Sequence, residues 1–203
     1  MTTSLSAESL PELVAPPFPV QRFTVAQYFE IAEVLGEGAN VELLEGWIVP
    51  KMVKKPQHDN TIDVILGLLE QIEMAGWFVR VQNVLRTADS APEPDLTITR
   101  GKRGDYPTQH PEGKDVALVI EVADASLSRD RRKAIIYAKA GVPAYWIVNL
   151  RDRCVEVFDQ PTAEGAYARQ ASLRNQEQLE IVLDGQHVGG LTCDQLLPDQ
   201  AVA

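Results

Sequence analysis

Residues 116–150, VALVIEVADASLSRDRRKAIIYAKAGVPAYWIVNL, restrict what this chain can become more than any other stretch. They open on a continuous apolar run, Val116-Ala117-Leu118-Val119-Ile120, whose length and β-branched content suit a strand buried on both faces of a sheet. The carboxylate of Glu121 ends that run. After a short polar turn, the spacing predicts a helix over 127–140. Leu127, Ala134, Ile135 and Ala138 share one face, Gly141 supplies the stop and Pro143 reinforces it. A second apolar run, Ala144-Tyr145-Trp146-Ile147-Val148, follows. Strand, crossover helix and strand make one βαβ unit, parallel and by default right-handed, so the expected class is α/β.

The polar residues of this unit fall where chemistry is done. Glu121 is at or next to the carboxyl end of a buried strand, the place where open α/β sheets hold their ligands. Asp130, Lys133 and Tyr137 are spaced by three and four residues and form one stripe beside the apolar helix face, free to turn toward Glu121.

The remaining elements dress this unit. Residues 1–20, with Pro11, Pro16, Pro17 and Pro19, read as a disordered leader, and 199–203 as a tail; 21–198 form a single domain. Thr24 caps a helix over 25–35 that Gly36 and Gly38 end. Val41-Glu42-Leu43-Leu44 and Trp47-Ile48-Val49 flank Glu45-Gly46, an N-terminal β-hairpin. A longer helix is expected over 57–75, with Ile62, Ile65, Leu66, Leu69 and Ile72 in register and Gly76 closing it. Strands are expected at 77–81 and 96–99, the second directly after Pro94-Asp95, with 84–86 as a short companion. The polar segment 100–115 is long for a plain connection and reads as a mobile loop or a cover over a site. Residues 154–158, 167–173 and 179–182 are expected to continue as an antiparallel meander, the C-terminal extension, before a short helix at 193–197.

Composition removes several classes. A chain of 203 residues with 45% hydrophobic and 24% charged positions can bury a real core. No apolar run approaches the roughly 18 residues of a membrane helix, and no basic region precedes an apolar one at the N-terminus, so a cytoplasmic protein without membrane contact is expected. Two distant cysteines, Cys154 and Cys193, argue against a disulfide framework or a cysteine zinc site. The net charge of −10 opposes non-specific nucleic-acid binding, which rests on neutralising phosphates with Lys and Arg. Basic clusters exist all the same: Lys51, Lys54 and Lys55; Arg100, Lys102 and Arg103; and several positions along the central helix.

Taken in order, Glu42 with Gly46, His58, Pro94-Asp95, Glu121-Val122, then Asp130, Lys133, Tyr137 and Ala140-Gly141-Val142-Pro143-Ala144-Tyr145-Trp146 resemble the Uma2 family. That family is a bacterial group, common in cyanobacteria, within the PD-(D/E)xK restriction-endonuclease-like superfamily. The resemblance covers about residues 22–160. It implies a restriction-endonuclease-like core with a central mixed sheet flanked by helices. It also implies a Mg²⁺-dependent endonuclease site, with Mn²⁺ able to substitute, acting on DNA without an organic cofactor. On this resemblance Asp95 and Glu121 bind the metal, the backbone carbonyl of Val122 adds a ligand, Glu42 is an auxiliary acidic ligand and Lys133 is the catalytic lysine. His58, Asp130 and Tyr137 support them. The superfamily signature puts the lysine two residues after the second acid, where this chain has Ala123. The resemblance implies that it has migrated to the following helix, at Lys133, with Lys139 as the next candidate. Restriction-endonuclease-like proteins often work as pairs, so a homodimer is expected.

The residue types suit this chemistry, since paired carboxylates hold Mg²⁺ through oxygen and leave room for water and phosphate. Each also has a plainer reading. Asp95 can start a strand, Lys133 can pair with Asp130 on a helix surface, Glu42 can face solvent from a hairpin, and His58 can cap a helix start. Two other functions therefore stay open: a nuclease-fold binding or assembly module without hydrolysis, and a metal hydrolase acting on a non-nucleic-acid phosphodiester.

Overall fold

The computed structural model describes residues 20–36 and 38–197. The expected leader, Val20 apart, and the tail lie outside them.

The central unit forms as its sequence dictates. Strand β5 (Val116–Ala123) is buried along its whole length, helix α3 (Leu127–Lys139) crosses over, and β6 (Ala144–Asn149) returns parallel to it. β5 runs two residues past Glu121, so this carboxylate sits inside the strand, paired with Ile147. Gly141, at φ 75°, supplies the left-handed residue that ends α3, and the Val142 N–H donates back to the Tyr137 carbonyl at 3.0 Å.

Around this pair the sheet is antiparallel. With β3 (Trp77–Val81), β4 (Leu96–Arg100), β7 (Cys154–Pro161) and β8 (Tyr167–Leu173), it runs in the order β3-β4-β5-β6-β7-β8. Only β5 and β6 are parallel, which makes the sheet mixed. Alternate side chains of β5 serve different cores. Leu118, Ile120 and Val122 enter a cluster with Ile62, Ile65 and Leu69 of α2 (Pro56–Leu69). Val119 and Ala123 pack with Ala134, Tyr137 and Ala138 of α3 on the opposite face. Glu121 shares that second face.

Helix α1 (Val25–Leu35), capped by Thr24 and Gln27, packs with the hairpin of β1 (Val41–Leu44) and β2 (Trp47–Pro50) in a third cluster. The hairpin is tied to the main body where the Ala91 N–H donates to the Leu43 carbonyl at 2.8 Å.

Three expectations need correction, and the segment 100–115 gains a defined end. Helix α2 stops at Leu69, not at residue 75; the following N–H groups of Gln71 and Ile72 bond three residues back, while Ile72 and Met74 still pack on the core. Apolar contact thus outlasts the helix and imitates its period. Residues 84–86 form no strand: the Leu85 and Arg86 N–H groups donate to Pro92 and Pro111, and only an isolated bridge joins Arg86 to Glu112. The segment 100–115 is anchored at its end by a single helical turn (Gly113–Asp115), where a Cβ on Gly113 would lie 2.0 Å from the Ala140 carbonyl oxygen. Finally, β9 (Gln178–Leu183) does not extend the meander. It pairs with β10 (Gln186–Thr192), which the sequence reading missed, in a separate two-stranded sheet. Leu179, Ile181, Leu191 and, from α4 (Cys193–Leu196), Leu196 cover the α2 face of the main sheet.

Candidate active site

The last paired residues of β4 and β5 fix the centre of the site. The ladder between these strands ends at Leu96↔Ile120, so the next N–H on that edge of β5, from Val122, has no strand partner. The carboxylate of Asp95 takes it: the Val122 N–H donates to Asp95 Oδ2 at 2.9 Å. Neighbouring residues of a strand alternate faces, which brings Glu121 to the α3 side. There it meets the stripe that the helix spacing predicts. Lys133 Nζ is 3.1 Å and the Tyr137 hydroxyl 2.9 Å from Glu121 Oε1.

Glu42 arrives from the hairpin. Its Oε2 is 3.2 Å from Lys133 Nζ, so one ammonium is held between two carboxylates from separate sheets. Glu42 also accepts the Glu93 N–H at 3.4 Å, and Arg129 lies 3.9 Å away. Asp130 is buried one helical turn before Lys133 and accepts from the Ser126 hydroxyl at 2.5 Å. His58, in the first turn of α2, lies with Nε2 3.1 Å from Asp95 Oδ2 and Nδ1 3.2 Å from Asp59. Glu42, His58, Asp95, Glu121, Val122, Asp130 and Lys133 line one pocket, and Tyr137 stands behind Glu121. Lys139 is remote: it is half exposed, 3.9 Å from Glu45 on the hairpin turn.

Several pocket residues were not singled out from the sequence. Glu93, Asp124 and Arg129 line it together with Lys51, Lys54 and Lys55. Glu93 lies two residues before Asp95 and salt-bridges Lys51 at 2.6 Å, while Asp124 meets Lys55 at 2.5 Å. Only the basic cluster left a sequence signal. The acidic partners come from loops whose approach is set by the tertiary fold.

The electrostatics follow from burial. Desolvation pushes the Glu121 carboxyl up to about 8 against the pull of Lys133, with Asp130, Asp95 and Glu42 adding to the rise. Asp130 is raised to about 6 for the same leading reason, again opposed by Lys133. Burial would lower Lys133, but Glu121, Glu42 and Asp130 outweigh it and hold the group as ammonium well beyond the usual lysine range. Burial likewise pulls His58 down, and the hydrogen bond and charge of Asp95 more than reverse this.

Among the described residues, no three His, Cys, Asp or Glu side chains converge on a point that would hold a metal ion. The donor chemistry nevertheless fits Mg²⁺, which typically takes one or two carboxylates and completes its shell with water and phosphate oxygens. Asp95, immediately before β4, and Glu121 in the adjacent β5 are hard oxygen donors lining one pocket and make such a pair.

A family model described as Uma2, "putative restriction endonuclease", matches residues 25–189. The chain belongs to the Uma2 family. A solved structure resembles this Uma2 protein in fold: a "putative nuclease belonging to DUF820" from Anabaena variabilis, at a TM-score of 0.67 and 12% identity, over 88% of this chain and 97% of that one. The central mixed sheet flanked by helices is thus a nuclease-like fold. No curated protein matches the chain.

Proposed function

We propose that this Uma2 protein is a Mg²⁺-dependent endodeoxyribonuclease, with Mn²⁺ able to replace Mg²⁺. One observation carries the reading: Lys133 lies between Glu42 and Glu121 in a pocket that Asp95 also lines, together with Lys51, Lys54 and Lys55. Buried acids under a basic rim suit a cation below and a phosphodiester above.

Asp95 and Glu121 would hold the metal, with the Val122 carbonyl and Glu42 as auxiliary donors. When bound, Mg²⁺ supplies Lewis acidity at a phosphate oxygen and favours ionisation of water. The other roles belong to the chain. Lys133, held as an ammonium by Glu121, Glu42 and Asp130, would orient the attacking water and balance charge on the phosphorus oxygens. His58 positions Asp95, and Tyr137 fixes the Glu121 rotamer. Cutting both strands of a duplex asks for two sites, so the proposal includes a homodimer, which sedimentation analysis would reveal.

A non-hydrolytic module is the second reading, favoured by the absence of a three-ligand group among the described residues. Incubating supercoiled and linear duplex DNA with wild type and Glu121→Gln separates the two. The nuclease nicks or linearises DNA in Mg²⁺, stops in EDTA and is inactive as Glu121→Gln. Intact DNA under every metal condition moves the assignment to the module.

A further inference from the structure

The segment between β2 and α2, Lys51-Met52-Val53-Lys54-Lys55, contributes all five of its residues to the pocket lining. It is bounded by Pro50 and Pro56, and its base is fastened. The Lys51 N–H donates to the Asn40 carbonyl at 2.9 Å, Lys51 Nζ reaches Glu93 at 2.6 Å, and Arg129 of α3 donates to the Pro50 carbonyl at 2.6 Å.

The tip is held differently. Val53 is 87% exposed and Met52 41%, and neither belongs to an apolar cluster of the described residues. Single exposed apolar side chains are ordinary. Two in succession at the mouth of a polar pocket, flanked by lysines on both sides, leave their apolar surface to whatever enters. Charge says what that is. The side chains of Lys54 and Lys55 are 37% and 62% exposed, whereas those of Glu42 and Asp95 beneath them are 4% and 7% exposed. Lys54 Nζ lies 3.8 Å from Asp95 and Lys55 Nζ 2.5 Å from Asp124, so an entering anion takes over lysines now paired with carboxylates, although the whole chain carries a net charge of −10. A polyanion with apolar faces between its charges matches this surface. DNA is such a polymer, and aliphatic side chains set among basic ones are how proteins part its base steps.

We infer that residues 51–55 form a substrate-gripping wedge, in which Lys54 and Lys55 hold phosphates next to the scissile one and Val53, with Met52, packs against the unstacked nucleotide between them. The inference rests on the nuclease reading and adds positioning residues to it.

The test uses a short duplex carrying fluorescein at one end and 2-aminopurine within, titrated with the full-length protein in EDTA so that no strand is cut. Lys54→Gln and Lys55→Gln each reduce the slope of log affinity against log salt by about 0.9, the share of one phosphate contact. Val53→Ser leaves the slope unchanged, weakens binding about fivefold through lost apolar contact, and abolishes the 2-aminopurine brightening that reports unstacking. Met52→Ser does the same to a smaller degree. Wild-type binding and brightening that persist in Val53→Ser and Met52→Ser overturn the wedge and leave the nuclease intact. A wild type that neither binds nor cuts DNA overturns both.

Discussion

Lys133 is enclosed among acids and carries the one side-chain charge that offsets both Glu42 and Glu121 at hydrogen-bonding distance. Removing one member of a buried ion pair typically costs about 3–5 kcal/mol, because the partner is left uncompensated. Lys133→Met is therefore expected to lower stability by about 3 kcal/mol at pH 8 in chemical denaturation. The loss grows above pH 8, where wild-type Glu121 ionises beside Lys133 while the variant, without that ammonium, keeps the carboxyl protonated. On the proposed mechanism, Lys133→Ala is expected to lower turnover far more than metal affinity, and Lys139→Ala to cut at the wild-type rate. Equal activity in both variants would remove Lys133 from the mechanism. The sign for Glu121 itself is fixed by linkage. Between its unfolded value of 4.5 and about 8, the native state keeps a proton that the unfolded chain has lost, so stability falls as pH rises through that window. Asp130 acts in the same direction between 3.8 and about 6. Glu121→Gln is expected to flatten the upper part of this decline and raise the melting temperature at pH 8, and a lowered value there would contradict the burial argument.

At the scale of elements, the site depends on where β4 stops and on how α3 is closed off. Gly113→Ala drives a methyl into the Ala140 carbonyl at the end of α3 and is expected to cost about 1–3 kcal/mol, measured as a shift in the urea midpoint at constant m-value. The central βαβ unit was legible because two short β-branched apolar runs flank an amphipathic stretch that Gly141 and Pro143 close, so period and stop signals agree. The stripe of Asp130, Lys133 and Tyr137 was legible because helical spacing puts all three on one face, from which Lys133 and Tyr137 reach Glu121. The end of α2 was not. Ile72 and Met74 pack on the core from turns, and a period cannot tell a helix from a turn that keeps the same contacts. Strand β10 escaped because Gly189 and Gly190 interrupt its alternation; Gly189 sits against Ile72 and follows a bulge. Glu93 and Asp124 escaped because loop approach is a tertiary fact, whereas Arg129 belongs to the basic positions of α3 and only its approach to Glu42 was hidden.

Over the whole molecule, a net charge of −10 is reconciled with the proposed polyanionic substrate by the exposure of two lysines. Glu42, Asp95, Glu121 and Asp130 are buried in the pocket, while Lys54 and Lys55 are its more exposed charges. Among the described residues no helix is long and apolar enough to cross a membrane. The proposed mechanism stands or falls with Asp95 and Glu121 as the cation site, two carboxylates lining one pocket. Isothermal titration of Mg²⁺ into wild type and Asp95→Asn tests this most directly. The account predicts a saturable heat in wild type that disappears in Asp95→Asn while the variant remains folded. Equal binding in the two proteins, or none in wild type, would contradict it.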